Sequence, residues 1–196
     1  QQHAANPITW QLWSPTALPA PSGRLVFLSV GYSSCHWCHV MNRDVFNDGA
    51  VADALQDDFL AIKVDRDEYP ELDVGLQQIA LLSGQGGGWP LNVIMTSSGV
   101  PLHFMNYVSA TELIDVLTSY SEQASQNPAG LTAQAAMMSS LMDVQQPGPM
   151  QAKLSTEGLR KRYKETVTKA LSQWDWVYGG ISGTPKAPRE TILLGL

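Results

Sequence analysis

Leu25-Val26-Phe27-Leu28-Ser29-Val30-Gly31-Tyr32-Ser33-Ser34-Cys35-His36-Trp37-Cys38 runs from an apolar, partly β-branched segment through a small polar turn into a C-x-x-C pair. Residues 25–30 have the composition of a buried strand, and Gly31-Tyr32-Ser33-Ser34 turns the chain out of it. Beyond the pair, Val40, Met41, Val45, Phe46, Val51 and Leu55 recur at helical intervals, so a helix over 35–57 is expected. Cys35 then stands at a helix N-terminus, where unpaired backbone N–H groups and the positive end of the helix dipole favour a thiolate over a thiol. Both cysteines of the 196-residue chain lie in this one motif. That usage points to a redox pair or a metal site rather than a framework of structural disulfides.

Composition narrows the classes. Hydrophobic residues are 44% of the chain and charged ones 15%, enough to bury a core. A formal net charge of -6 and a pI near 5.1 argue against a nucleic-acid groove or an anionic membrane surface as partner. No apolar run approaches the roughly 18 residues that span a bilayer, so a soluble protein, cytoplasmic or periplasmic, is expected. The chain opens on Gln1 with neither an initiator Met nor a signal-like segment, which reads as a trimmed N-terminus.

Outward from the motif, residues 1–21 form an irregular lead-in with Trp10 and Trp13. A second strand over 59–64 completes a βαβ unit, right-handed and with parallel strands. A helix at about 71–82 leads to Gly84-Gln85-Gly86-Gly87-Gly88-Trp89-Pro90, then strands at 91–96 and near 101–107 flank a turn at Ser97-Ser98-Gly99 as a hairpin. Residues 111–124 read as a closing amphipathic helix with Ser109 or Thr111 as N-cap. This order, βαβα then ββα, is that of a thioredoxin fold: an α/β domain over 1–125 with a central mixed sheet flanked by helices. Then Asn127-Pro128-Ala129-Gly130 breaks the helix, 131–144 forms another, and Gln145-Gln146-Pro147-Gly148-Pro149 is a linker. A helix over 154–174 carries Arg160, Lys161, Arg162 and Lys164 as a solvated face. Residues 126–196 are thus expected to be a linker and the first helices of a truncated α-helical domain.

The same residues resemble a known family, the thioredoxin-like domain joined to an (α/α) toroid found in the spermatogenesis-associated thioredoxin-like proteins and their bacterial relatives. Gln2-His3-Ala4-Ala5-Asn6-Pro7-Ile8-Thr9-Trp10 is similar to its opening stretch, and residues 27–41 are similar to its most specific signature. Lys63-Val64-Asp65-Arg66-Asp67-Glu68-Tyr69-Pro70-Glu71-Leu72-Asp73 and Gly87-Gly88-Trp89-Pro90-Leu91 match two further segments. Gly179-Gly180-Ile181 and Ala187-Pro188 resemble the start of the helical domain. The resemblance implies a cis-proline at Pro90, facing the cysteines and contacting substrate together with Trp89. Two departures stand out. Phe104-Met105-Asn106-Tyr107-Val108-Ser109 replaces a GGTYFP-like stretch, and Ser29 stands where ordinary thioredoxins bury an Asp that assists proton transfer.

As a dithiol, Cys35 attacks a substrate disulfide and Cys38, one helical turn on, resolves the mixed disulfide. A charged His36 favours the Cys35 thiolate, His39 can exchange protons with Cys38, and Trp37 can cover the sulfur and meet a partner. Asp65, at a strand end, either stays solvated or bonds a turn. The expected substrate is a protein or small-molecule disulfide or dithiol, with an electron donor of unknown identity and neither cofactor nor metal. Cys35-His36-Trp37-Cys38-His39 also spells the C-x-x-C-H of c-type haem attachment, which a buried strand before the motif and a Gly-Gly-Trp-Pro strand start after it oppose. Zinc would need a fourth ligand beside Cys35, Cys38 and His39, from His3, His36, His103 or a carboxylate. The remaining alternative is a non-catalytic thioredoxin-like scaffold attached to a helical domain of sugar-processing type.

Overall fold

The structure is a computed structural model that describes residues 6–20, 23–145, 155–172 and 174. The expectations for His3, the Pro-Gly linker at 147–149 and residues 179–194 lie outside the described residues. Strand β2 (Leu25–Gly31) is buried along almost its whole length because it has a neighbour on each side and helices on both faces. It sits at the centre of a five-stranded sheet of order β1-β3-β2-β4-β5, with β1 at Gln11–Leu12, β3 at Phe59–Asp65, β4 at Leu91–Met95 and β5 at Pro101–Met105. The β2–β3 pair is parallel, and β2–β4 and β4–β5 are antiparallel, so parallel strands run on into a hairpin. This is the thioredoxin fold that the order of elements leads one to expect.

Alternation along β2 separates two cores. Phe27 faces the side covered by helix α1 (His36–Met41), the π-helical segment Asn42–Phe46, α2 (Gly49–Gln56) and α4 (Ala110–Gln126), where it packs with Met41, Phe46, Leu113 and Leu117. Leu28 and Val30 face the other side, where α3 (Pro70–Leu82) brings Leu76 and Ile79. Helix α4 begins with Ser109 accepting from Glu112 N–H while the Glu112 carboxylate accepts from Ser109 N–H, a reciprocal cap.

Three boundaries differ from the sequence-based expectation. The helix expected over 35–57 is divided: it passes into a π segment, stops, and restarts at Asp48, whose carboxylate accepts from Ala50 N–H at 2.8 Å. Asn47-Asp48-Gly49 is a capping and turn signature that outweighs the helical periodicity around it. The lead-in is not wholly irregular, because Gln11 and Leu12 pair in parallel with Ile62 and Lys63. Helix α5 (Pro128–Gln145) packs on the sheet: Met138 is buried, and Gln134 Nε2 donates to Leu102 O and to Tyr120 Oη. The first compact unit accordingly runs over Gln1–Gln146, past the boundary expected at 125.

The second unit, Pro147–Leu196, contains helix α6 (Thr156–Ser172). Its Arg160, Lys161, Arg162 and Lys164 are exposed, the solvated face the sequence suggests. Among the described residues no helix is long and apolar enough to cross a membrane.

Candidate functional site

Cys35 is the N-cap of α1 and is disulfide-bonded to Cys38, with a Cα–Cα separation of 5.2 Å. Cys35 Sγ also accepts from Cys38 N–H at 3.2 Å, so the turn that joins the sulfurs is held by its own backbone. Helix α1 is only six residues long. Both cysteines are nearly covered, Cys35 to 3% and Cys38 to 6% exposure. Cys38, not Cys35, borders the cavity beside the pair, a space of about 360 Å³ whose wall also includes Gly31, Tyr32, Lys63 and Pro90. Gly31 leaves room for the sulfur: a Cβ there would stand a tight 3.0 Å from Cys38 Sγ.

The two indole rings expected at the site lie in different surroundings. Trp37 is 53% exposed, with its ring against Tyr107 (5.3 Å between centroids) and edge-on to His36 (5.6 Å). Trp89 is instead half-buried and held by three neighbours. Its Nε1–H donates to Asp73 Oδ1 at 2.8 Å, the Arg66 guanidinium lies 4.1 Å from its ring centroid, and Tyr32 meets it edge-on.

Trp89 leads into Pro90 through a cis peptide bond, and Pro90 O accepts from Asn106 Nδ2 at 3.1 Å. Just before it, Gly88 takes φ +125°, a backbone conformation open to glycine, and Gln77 of α3 clamps it by accepting from Gly88 N–H (2.8 Å) and donating to Gly88 O (3.0 Å).

The histidines do different things. His39 Nε2–H donates to Ser33 O at 2.8 Å and ties α1 to the turn that precedes it. The His36 ring is exposed. Asp65 bonds a turn, its Oδ1 accepting from Asp67 N–H. Among the described residues no three His, Cys, Asp or Glu side chains form a group able to hold a metal ion.

Sequence reasoning missed two parts of the site. The first is the support of Trp89 by Asp73, Gln77 and Arg66, which the acidic first turn of α3 alone does not reveal. The second is Lys63. Its Nζ donates to the buried Ser29 Oγ at 2.9 Å, in register across β2–β3, and lies over the Phe46 and Trp10 rings at 4.3 and 4.7 Å. Lys63 is not fully covered as a residue, yet its amino group is enclosed, and that loss of hydration pushes its pKa down to about 7. The aromatic faces act in the opposite sense and favour the ammonium. A signal was present: Lys63 shares the alternation of Phe59 and Ala61, which face the core, and a lysine in that phase of a strand is out of place.

The family model Thioredox_DsbH, described as "Protein of unknown function, DUF255", matches residues 1–143. Spermatogenesis-associated protein 20 of Homo sapiens is 30% identical over 203 residues, covering 98% of this chain and 25% of that protein. An uncharacterized protein of Caenorhabditis elegans is 45% identical over 103 residues, covering 52% of this chain and 14% of that protein. The chain thus spans a quarter or less of the length of these relatives. Among solved structures, a DsbH oxidoreductase superposes with a TM-score of 0.47 at 17% identity, covering 61% of this chain and 88% of that one.

Proposed function

The chain belongs to the Thioredox_DsbH (DUF255) family, and from that premise we propose that it is a thiol–disulfide oxidoreductase whose redox pair is Cys35 and Cys38. The observation that carries the reading is the Cys35–Cys38 disulfide, whose Cys38 end borders a cavity shared with Pro90, the residue before β4. In the reduced protein the Cys35 thiolate attacks a substrate disulfide, forming a mixed disulfide and releasing one thiolate. Cys38 then attacks Cys35 Sγ, the substrate sulfur leaves as the second thiolate, and two electrons have passed from the dithiol to the substrate. Exposed His36 follows Cys35 directly and modulates the pair, while His39, held on Ser33 O, orients the helix start. Trp89 and Pro90 present the edge at which an extended protein or small-molecule substrate lies, and exposed Trp37 offers the apolar contact. Residues after 146 then belong to a helical domain of which this chain contains the start.

A second reading has its own support. With both sulfurs nearly covered, the pair can equally serve as a staple in a non-catalytic scaffold that recruits partners. Insulin reduction by dithiothreitol separates the two. The oxidoreductase accelerates it at least tenfold over the uncatalysed rate, Cys35→Ser abolishes the effect, and Cys38→Ser accumulates a mixed disulfide at Cys35. A parent chain no faster than Cys35→Ser leaves the scaffold, and a trap that forms only in Cys35→Ser reverses the two sulfurs' roles.

A further inference from the structure

Lys63 is a titratable group that this two-step exchange leaves unused, and it stands on the wall of the same cavity as Cys38. The sheet fixes how the two relate. Cys38 Sγ lies over Gly31 of β2, close enough that a Cβ there would touch it at 3.0 Å. The Lys63 amine is bonded to Ser29, two residues earlier on the same face of the same strand. Ser29 and Gly31 are about 6.6 Å apart along the strand, so the amine and the sulfur stand over neighbouring positions of one face, on the wall of a cavity of about 360 Å³ that has room for water. Ser29 is itself fully buried and carries no charge to neutralise the lysine. Among the described residues no carboxylate lies within 4.0 Å of Lys63 Nζ. The other titratable groups on the cavity wall are Tyr32, Asp65, Glu68 and Tyr69, with both carboxylate residues exposed and Asp65 engaged in its turn.

Resting on the dithiol reading, we infer that Lys63 is the proton acceptor for Cys38: its neutral amine takes the Cys38 thiol proton, through water in the cavity they share, as Cys38 attacks the mixed disulfide. The bonds balance. Cys38 loses its proton to the amine and bonds to Cys35 Sγ, the bond from Cys35 to the substrate sulfur breaks, and the departing thiolate is reprotonated from solvent as the ammonium returns its proton there. In the reverse direction the ammonium protonates Cys38 as it leaves the disulfide. The enclosure that lowers the lysine to about 7 leaves a large fraction of it neutral near that pH, where an ordinary lysine is almost wholly charged. Lys63 thus occupies the role that the missing carboxylate at Ser29 would otherwise fill.

The test is stopped-flow reaction of the reduced 196-residue chain with 5,5′-dithiobis(2-nitrobenzoate), a disulfide whose leaving thiolate needs no protonation. The first release of coloured thiolate reads attack by Cys35 and the second reads resolution by Cys38, with Cys38→Ser assigning the second phase by its loss. We expect the ratio of second-phase to first-phase rate near neutral pH to fall at least about tenfold in Lys63→Met, the lower end of general-base effects. It should recover to within a few-fold above about pH 10, where the thiol ionises unaided. Lys63→Arg, which keeps a cation that cannot give up its proton, should fall equally. A ratio unchanged in Lys63→Met, or preserved in Lys63→Arg, overturns the inference. Should neither variant fold, the parent decides: its second phase must gain speed through about pH 7, and a flat profile there overturns the assignment. Absence of the first release overturns the dithiol reading and this inference with it, whereas a normal first release with a Lys63-independent second overturns this inference alone.

Discussion

At the scale of single residues, the amine of Lys63, on the wall of the cavity that Cys38 borders, has a consequence for stability as well as chemistry. Folding lowers the Lys63 amine from an ordinary value of 10.5 to about 7, so between those pH values the unfolded chain binds more protons than the folded one. Stability must then rise with pH across that window and be insensitive to this group below it. Lys63→Met removes the effect: relative to the variant, the parent gains stability from about pH 7 to about pH 10, read as a widening difference in urea midpoints. Parallel curves for the two proteins would show the amine hydrated in the folded state. Half of this arrangement was legible in the sequence, since Ser29 declares itself by taking the place of an expected carboxylate. Its partner was marked only by strand alternation, since Lys63 shares the phase of Phe59 and Ala61; that the amine meets Ser29 follows from the parallel register that sets the two residues opposite each other.

At the scale of elements, the segment that leads into Pro90 is positioned by a helix from the opposite face of the sheet. Gln77 of α3 satisfies both backbone groups of Gly88, and Asp73 one turn earlier holds the Trp89 indole. Gln77→Ala leaves a partly buried N–H and C=O without these partners, a loss of about 1–3 kcal/mol, measured as a lower urea midpoint with the disulfide intact. A change below the scatter of the measurement would mean that water replaces the amide freely and that α3 does not set the loop. The sequence disclosed the helix and the Gly-Gly-Trp-Pro segment separately, through periodicity and through punctuation. It could not disclose the clamp, which depends on side chains 11 and 16 positions from their partners. The division of the first helix was legible in principle, because Asn47-Asp48-Gly49 is a cap signature set inside a helical period.

At the scale of the whole molecule, the question is where the first unit ends. A reading from punctuation places the break at Asn127-Pro128, where α4 stops, but Pro is well suited to the first turn of a new helix and so marks a start as readily as an end. Helix α5 then returns to the domain. It buries Met138, and Gln134 reaches Leu102 O at the hairpin and Tyr120 Oη on α4. Burying one large apolar side chain contributes about 2 kcal/mol and two such hydrogen bonds about 1 kcal/mol each. A loss of that size in a domain of this length lowers the thermal midpoint by roughly 10 °C. A chain shortened after residue 146, the end of the first unit, should therefore keep the thermal midpoint of that unit, whereas one shortened after residue 126 should melt about 10 °C lower. Equal midpoints for the two fragments would make α5 an appendage and return the boundary to the place that punctuation suggests. Because Met138 of α5 is buried in the core that also holds Leu76 and Ile79 of α3, such a result would equally detach it from the helix whose Asp73 holds Trp89.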